Sequence, residues 1–166
     1  MIDERVLDRT LHAALRAGGD FAEVFAEDRR ASSARLDDGK VEELTSGRER
    51  GAGIRVVRGD STGYAHTADL SESGLREAAD AAAAAARGRE GETTVVGLER
   101  RDVAPPHEVR VLPESVEKAR KVQLLERADD AARAEGDAIS QVGASYADSR
   151  RQILVANSDG LLTGDD

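Results

Sequence analysis

The sequence has no cysteine. That absence excludes a disulfide framework and any thiolate metal site within these residues, and it suits a reducing compartment. Aromatic residues are almost as scarce, with two Phe, two Tyr and no Trp in 166 residues. Any core must therefore be built from small aliphatic groups and be thin, and the domain is expected to need a partner surface. No apolar run approaches the ~18 residues that a membrane span needs, and the N-terminus is charged from Asp3 onward, which leaves no signal peptide. A soluble chain is expected. Positive charge is also in deficit: 24 Lys+Arg face 33 Asp+Glu, a net charge of −9. That balance repels nucleic acid unless the basic residues are gathered in one patch, and the sequence shows no such segregation. Neither nucleic acid nor a membrane is expected as a partner.

The length fits one ordinary domain and excludes two large ones. Ile, Leu, Val and Phe supply 34 residues, about 20%, a share at which composition alone leaves folded and disordered classes open. The 39% hydrophobic content is inflated by 28 alanines. Arginine outnumbers lysine 21 to 3, the pattern of a GC-rich genome, so no run of arginines is meaningful by itself.

Val6, Leu7, Leu11 and Leu15 recur at helical spacing between a candidate N-cap at Asp3 and a stop at Gly18-Gly19, which predicts an amphipathic helix over 3–17. From Phe21 to Leu36 the period turns to two, and the polar stretch from Arg29 divides it into two strand-like segments. Asp37-Asp38-Gly39-Lys40 is a hairpin turn, since glycine accepts the positive φ that tight turns demand. Strands over 41–46, 51–58 and 62–67 follow, the last two joined at Gly59-Asp60, making an antiparallel meander. Ser71 and Ser73 precede a second helix, about 72–86, with high helix propensity but little apolar area. Gly88 ends it. The stretch 87–114 reads as a connection with one short strand at 93–96. After Ser115 a third helix runs to about Ala134, with Val116, Ala119, Val122, Leu125, Ala128 and Ala132 near one stripe. Gly136 stops it, and strands over 139–146 and 152–156 follow.

The fold class expected is α/β in the α+β sense, with antiparallel sheets packed against helices in two degenerate helix-plus-strands units. Unit one covers about 1–90, the connection about 91–114 and unit two about 115–166. Gly19-Asp20 answers to Gly136-Asp137, and Asp38-Gly39 to Asp159-Gly160. The second unit stops six residues after Gly160, with no room to finish a strand begun at Leu161. The expectation is an N-terminal portion of a longer protein.

Candidate chemistry is sparse. His107-Glu108 lacks the second histidine of a His-Glu-x-x-His zinc helix, because Val111 and Leu112 stand where it would fall, so a solvated loop histidine is the better reading. His12 and His66 are the other histidines, one on a helix boundary and one on a strand. Gly51-Ala52-Gly53 precedes a strand, the reverse of the order that dinucleotide binding requires. Those glycines mark a bulge or a place where another backbone comes close. Arg58-Gly59-Asp60 and Asn157-Ser158-Asp159-Gly160 are turns. The pairs Asp37-Asp38, Glu42-Glu43, Asp129-Asp130 and Asp165-Asp166 read as solvated faces.

Gly51-Ala52-Gly53-Ile54-Arg55-Val56, then Gly59, then Gly63-Tyr64-Ala65, followed by Ser71 and an alanine-rich helix, resemble the N-terminal part of the TldD/PmbA family, also called modulators of DNA gyrase. The helix from Val122 to Ala134, the strand Gln141-Val142-Gly143-Ala144-Ser145, and Ile153 to Gly160 resemble the family's next block, so the likeness covers nearly the whole chain. The wording is closer to the TldD branch. The resemblance implies a cytoplasmic zinc metallopeptidase of two related subunits, TldD-like and TldE-like (PmbA), that acts on unfolded peptides. Only the TldD-like subunit binds zinc. The family's His-Glu-x-x-x-His motif and its further cysteine ligand lie in a C-terminal domain, with the glutamate as general base for a zinc-bound water. None of them occurs in this sequence. No catalytic or metal residue is therefore carried over, no cofactor is expected in this chain, and zinc is expected in the full-length protein. The expected partners are a TldE/PmbA-like paralogue or an identical subunit, together with an unfolded peptide. Gly51, Gly53, Arg55, Gly63 and Tyr64 are the candidates for contact with peptide or partner. A stand-alone protein-interaction module without hydrolytic function is the alternative from a different class.

Overall fold

The computed structural model describes residues 2–86, 95–102 and 109–165. Three α-helices and six strands are found among them: α1 (Glu4–Leu15), β1 (Phe21–Asp37), β2 (Lys40–Arg58), β3 (Ser61–Thr67), α2 (Glu72–Ala85), β4 (Glu99–Arg100), α3 (Lys118–Arg133), β5 (Gly143–Asn157) and β6 (Leu161–Asp165). A 3₁₀ turn at Pro113–Ser115 precedes α3. The strands form one sheet in the order β3-β2-β1-β5-β6-β4. The pairings β2–β3 and β5–β6 are antiparallel, and β4 runs parallel to β6. The expected mixture of helices with mainly antiparallel sheet is what the chain adopts.

Local chemistry accounts for the element ends. The Asp3 carboxylate caps α1 by accepting from the Arg5 N–H at 2.9 Å, and Ser71 caps α2 by accepting from the Gly74 N–H at 3.2 Å. Asp38 and Gly39 both have positive φ, 51° and 78°, the mirror-image turn whose twist matches that of the strands it joins. Asn157 Oδ1 accepts from the N–H groups of Asp159 and Leu161, both at 3.1 Å, and so turns β5 into β6.

Three expectations are corrected. β1 and β2 are each continuous, where the sequence suggested breaks, because both faces of their middle stretches are polar and lack alternation. The strand expected over 139–146 begins at Gly143 and runs unbroken to Asn157. Val95 and Val96 are not in a strand, Thr93 and Thr94 lie outside the described residues, and the short strand sits instead at Glu99–Arg100.

The chain divides into two compact units assembled from interleaved segments. The first comprises Met1–Asp28, Arg50–Pro106 and Gln152–Asp166, the second Arg29–Glu49 and His107–Arg151. In the first, α1 buries Leu7, Leu11, Ala14 and Leu15, and α2 buries Leu75, Ala78, Ala79, Ala82 and Ala83. These meet Ala22, Val24 and Ala26 of β1, Ala52, Ile54 and Val56 of β2, Leu154 and Ala156 of β5, and Leu162 of β6. The core is as thin as composition implied. Among the described residues, eleven of the 22 buried hydrophobic ones are alanine and none is aromatic. In the second unit Ala34, Leu36 and Leu125 form a small cluster flanked by Ala144 and Tyr146. Here α3 departs from its expected stripe: it buries Lys121, Leu125 and Asp129, while Ala119 and Ala128 are exposed.

With so few large side chains inside, each one matters. Leu11→Ala is expected to destabilise the chain by about 2–5 kcal/mol, whereas Leu44→Ala, at a residue 42% exposed, should stay within about 0.5 kcal/mol. Urea unfolding of both variants measures the contrast.

Candidate functional site

The five residues singled out from the sequence lie on the β2–β3 hairpin, but not on one face. Register places Gly53 opposite His66, Arg55 opposite Tyr64, and Val56 opposite Gly63. Gly63 faces inward. A Cβ there would collide with the Ala82 carbonyl oxygen of α2 and lie 2.5 Å from the Ala86 nitrogen. The space left by its missing side chain is thus filled by this chain's own helix.

Gly53, Arg55 and Tyr64 are brought together on the opposite face. A Cβ on Gly53 would sit 2.9 Å from Tyr64 Cζ, so the glycine makes room for the tyrosine ring across the hairpin. Tyr64 is 62% exposed and stacks on His66 at 6.5 Å. The Arg55 guanidinium lies 5.5 Å from the Phe21 ring and 3.4 Å from Glu23 Oε1. Gly51 approaches the Thr67 carbonyl, which would stand 3.0 Å from an added Cβ. This face thus carries an exposed tyrosine ring beside an arginine already paired with a carboxylate.

Sequence reading missed a second group, in the other compact unit. Lys121 Nζ is 2.6 Å from Asp148 Oδ2 and donates to Ser32 Oγ at 2.8 Å, with its side chain only 5% exposed. Ser32 in turn donates to Asp148 Oδ1 at 2.7 Å. The Lys121 ammonium also lies 5.8 Å from the Tyr146 ring centre. Burial pushes the Asp148 carboxyl upward, but hydrogen bonds from Lys121, Ser32 and Tyr146, with the Lys121 charge, outweigh it and hold the group below its ordinary value. The hydrogen bond to Asp148 raises the Tyr146 hydroxyl in turn. Nearby on α3, Arg133 donates to Asp129 at 3.0 Å and also pairs with Asp38. One signal was available: Lys121 is among three lysines in a chain of 21 arginines, and a compact ammonium suits a small buried site better than a guanidinium.

A metal centre does not fit the described residues. No group of three or more His, Asp or Glu stands ready to hold an ion among them. His12 bonds its own helix at the Asp8 carbonyl, His66 stacks on Tyr64, and His107 lies outside the described residues.

Two family models match in succession, PmbA/TldA metallopeptidase domain 1 over residues 22–86 and the PmbA/TldA metallopeptidase central domain over residues 112–166. The chain belongs to the PmbA/TldD family. A "Metalloprotease TldD homolog" of Haemophilus influenzae is 29% identical over 149 residues, spanning 88% of this chain and 30% of that protein. A "Metalloprotease" of Methanothermobacter thermautotrophicus is 33% identical over 144 residues, 86% of this chain and 31% of its own length. The crystal structure of TldE from Thermococcus kodakarensis shares the fold with a TM-score of 0.74 at 18% identity, over 96% of this chain and 36% of that one. The chain therefore spans about a third of the length of the PmbA/TldD relatives it matches, and their naming as metalloproteases implies a metal in the family that the described residues do not accommodate.

Two outcomes are expected from this geometry. Gly63→Ala should lower the thermal midpoint by several degrees, because backbone atoms of α2 must move, while Gly53→Ala should cost less, since Tyr64 can swing away; thermal unfolding compares them. Asp148→Asn should cost about 3 kcal/mol by stranding the buried Lys121 ammonium. The sign of the pH effect follows from the same pair: a carboxyl held low in the folded state stabilises above its unfolded value of ~3.9, and the contribution fades as pH falls through and below that value. The acid loss measured by denaturant midpoints should therefore be shallower in the Asn variant.

Proposed function

We propose that this chain is the N-terminal, non-catalytic part of a TldD-like zinc metallopeptidase subunit acting on unfolded peptides, and that it contributes to dimerisation and to the chamber that admits the peptide. The observation that carries this reading is the succession of two PmbA/TldD domains along the chain at about a third of the relatives' length. The exposed face bearing Tyr64 and Arg55, with the Phe21 ring beneath the Arg55 guanidinium, supports it, since a thin-cored sheet with aromatics facing outward suits apposition of another protein surface. The partner is a TldE-like paralogue or an identical subunit, and the compartment is the cytoplasm. Extended peptides held through their backbones suit a protease of broad sequence tolerance, because added-strand binding gains hydrogen bonds without reading side chains.

The test joins metal analysis to assembly. The purified 166-residue chain should hold no stoichiometric zinc, cleave no unstructured peptide, and form a complex with a TldE-like subunit in light scattering. One tightly held zinc per chain, or failure to associate with either a TldE-like subunit or itself, would overturn the proposal.

A further inference from the structure

An antiparallel sheet that carries helices on one side alternates apolar residues inward with polar residues outward. In the first compact unit the outward positions break that pattern. Ala22, Val24 and Ala26 of β1 are buried in the core with the helices, which turns Phe21 and Phe25 to the other face. By the same alternation Val57 on β2, Tyr64 on β3, Val155 on β5 and Leu161 on β6 point there as well. Three of the four aromatic residues in the sequence therefore stand on one face. Helices α1 and α2 bury their apolar stripes against the inner side, so neither covers it.

The charges on this face are already answered. Arg55 lies 3.4 Å from Glu23 Oε1, and Glu27 and Asp165 have interactions of their own within the chain. A chain of net charge −9 thus keeps one face on which a second copy would meet little repulsion. The size is sufficient. The five neighbouring strands β3-β2-β1-β5-β6, at ~4.8 Å spacing and roughly five residues deep, make a face of about 400 Å² in plan. Two such faces, with the relief of their side chains, reach the ~1,000 Å² in total that a specific interface needs.

We propose that this face packs against the same face of a second copy, joining two helix-backed sheets into a four-layer sandwich. Identical sheets share one twist, so they stack face to face with strands about 30° apart, and the two-fold axis makes every contact twice. The inference rests on the dimerisation reading above and assigns it a partner and a surface.

Sedimentation velocity of the 166-residue chain follows mass against concentration. A monomer–dimer transition should centre on the order of 10–100 µM, in keeping with an interface at the small end of the range. It should tighten about threefold or more as salt screens the like charges of the two copies. Phe25→Glu and, in a separate variant, Tyr64→Glu should each weaken the dimer about tenfold or more by burying a carboxylate against apolar groups. Tyr64 is 62% exposed, so its variant keeps the thermal midpoint of the monomer even where the Phe25 variant fails to fold. Leu44→Glu, which adds the same charge at a site 42% exposed in the other compact unit, should leave the dimer unaltered. A chain that stays monomeric, a dimer that loosens with salt, or one indifferent to Tyr64→Glu would overturn the inference. Association with a TldE-like subunit but not with itself would overturn it too, while leaving the peptidase-subunit reading intact, since that reading falls only when both associations fail.

Discussion

Backbone-to-backbone closeness is the constraint on which the larger unit depends. Alanine supplies half the buried hydrophobic residues among those described, and an alanine buries too little area to hold a helix at ordinary distance from a sheet. The helix must come nearer. Gly63 permits this by presenting bare backbone beneath Ala82 and Ala86, and Ser71 fixes where α2 begins. Close-packed small residues recover in dispersion contacts part of what they lack in area. The same economy leaves the few aromatics outside, where Phe25 and Tyr64 face away from the core.

The smaller unit solves the same shortage differently. Its apolar cluster is only Ala34, Leu36 and Leu125 with two flanking residues, and a lysine and an aspartate of α3 are buried beside Leu125. A buried pair repays its desolvation only with good geometry and further hydrogen bonds. Lys121 has both, in Asp148 and Ser32. What such a pair contributes is specificity of placement more than net stability: an ammonium that accepts one carboxylate position sets α3 on these strands in one register.

Legibility followed the kind of signal. Helix α1 could be read because leucine spacing, an aspartate cap and glycines agree, and the hairpin at Asp38-Gly39 because positive φ has few residue types to serve it. The polar middles of β1 and β2 could not, since a strand exposed on both faces shows no period. The buried face of α3 was hidden for a related reason, as Lys121 and Asp129 are interior through pairing rather than hydropathy. Glycines 51, 53 and 63 stood out in the sequence, but what approaches each depends on elements distant along the chain. Arginine abundance likewise masked Arg30 and Arg150, which lie far apart along the chain and meet only at Glu114.

The Ala22 N–H donates to the Ser158 hydroxyl, and the Ser158 N–H donates back to the Ala22 carbonyl, across 136 residues of chain. On a ribosome adding roughly 5–20 residues per second, the inner edge of β1 emerges and then waits on the order of ten seconds for the strand that covers it. During that interval a long hairpin with one bare edge is exposed to every other nascent chain nearby. Vectorial synthesis therefore exposes this topology to mispairing, and the time it spends unfinished is set by translation rather than by the chain's own folding rate.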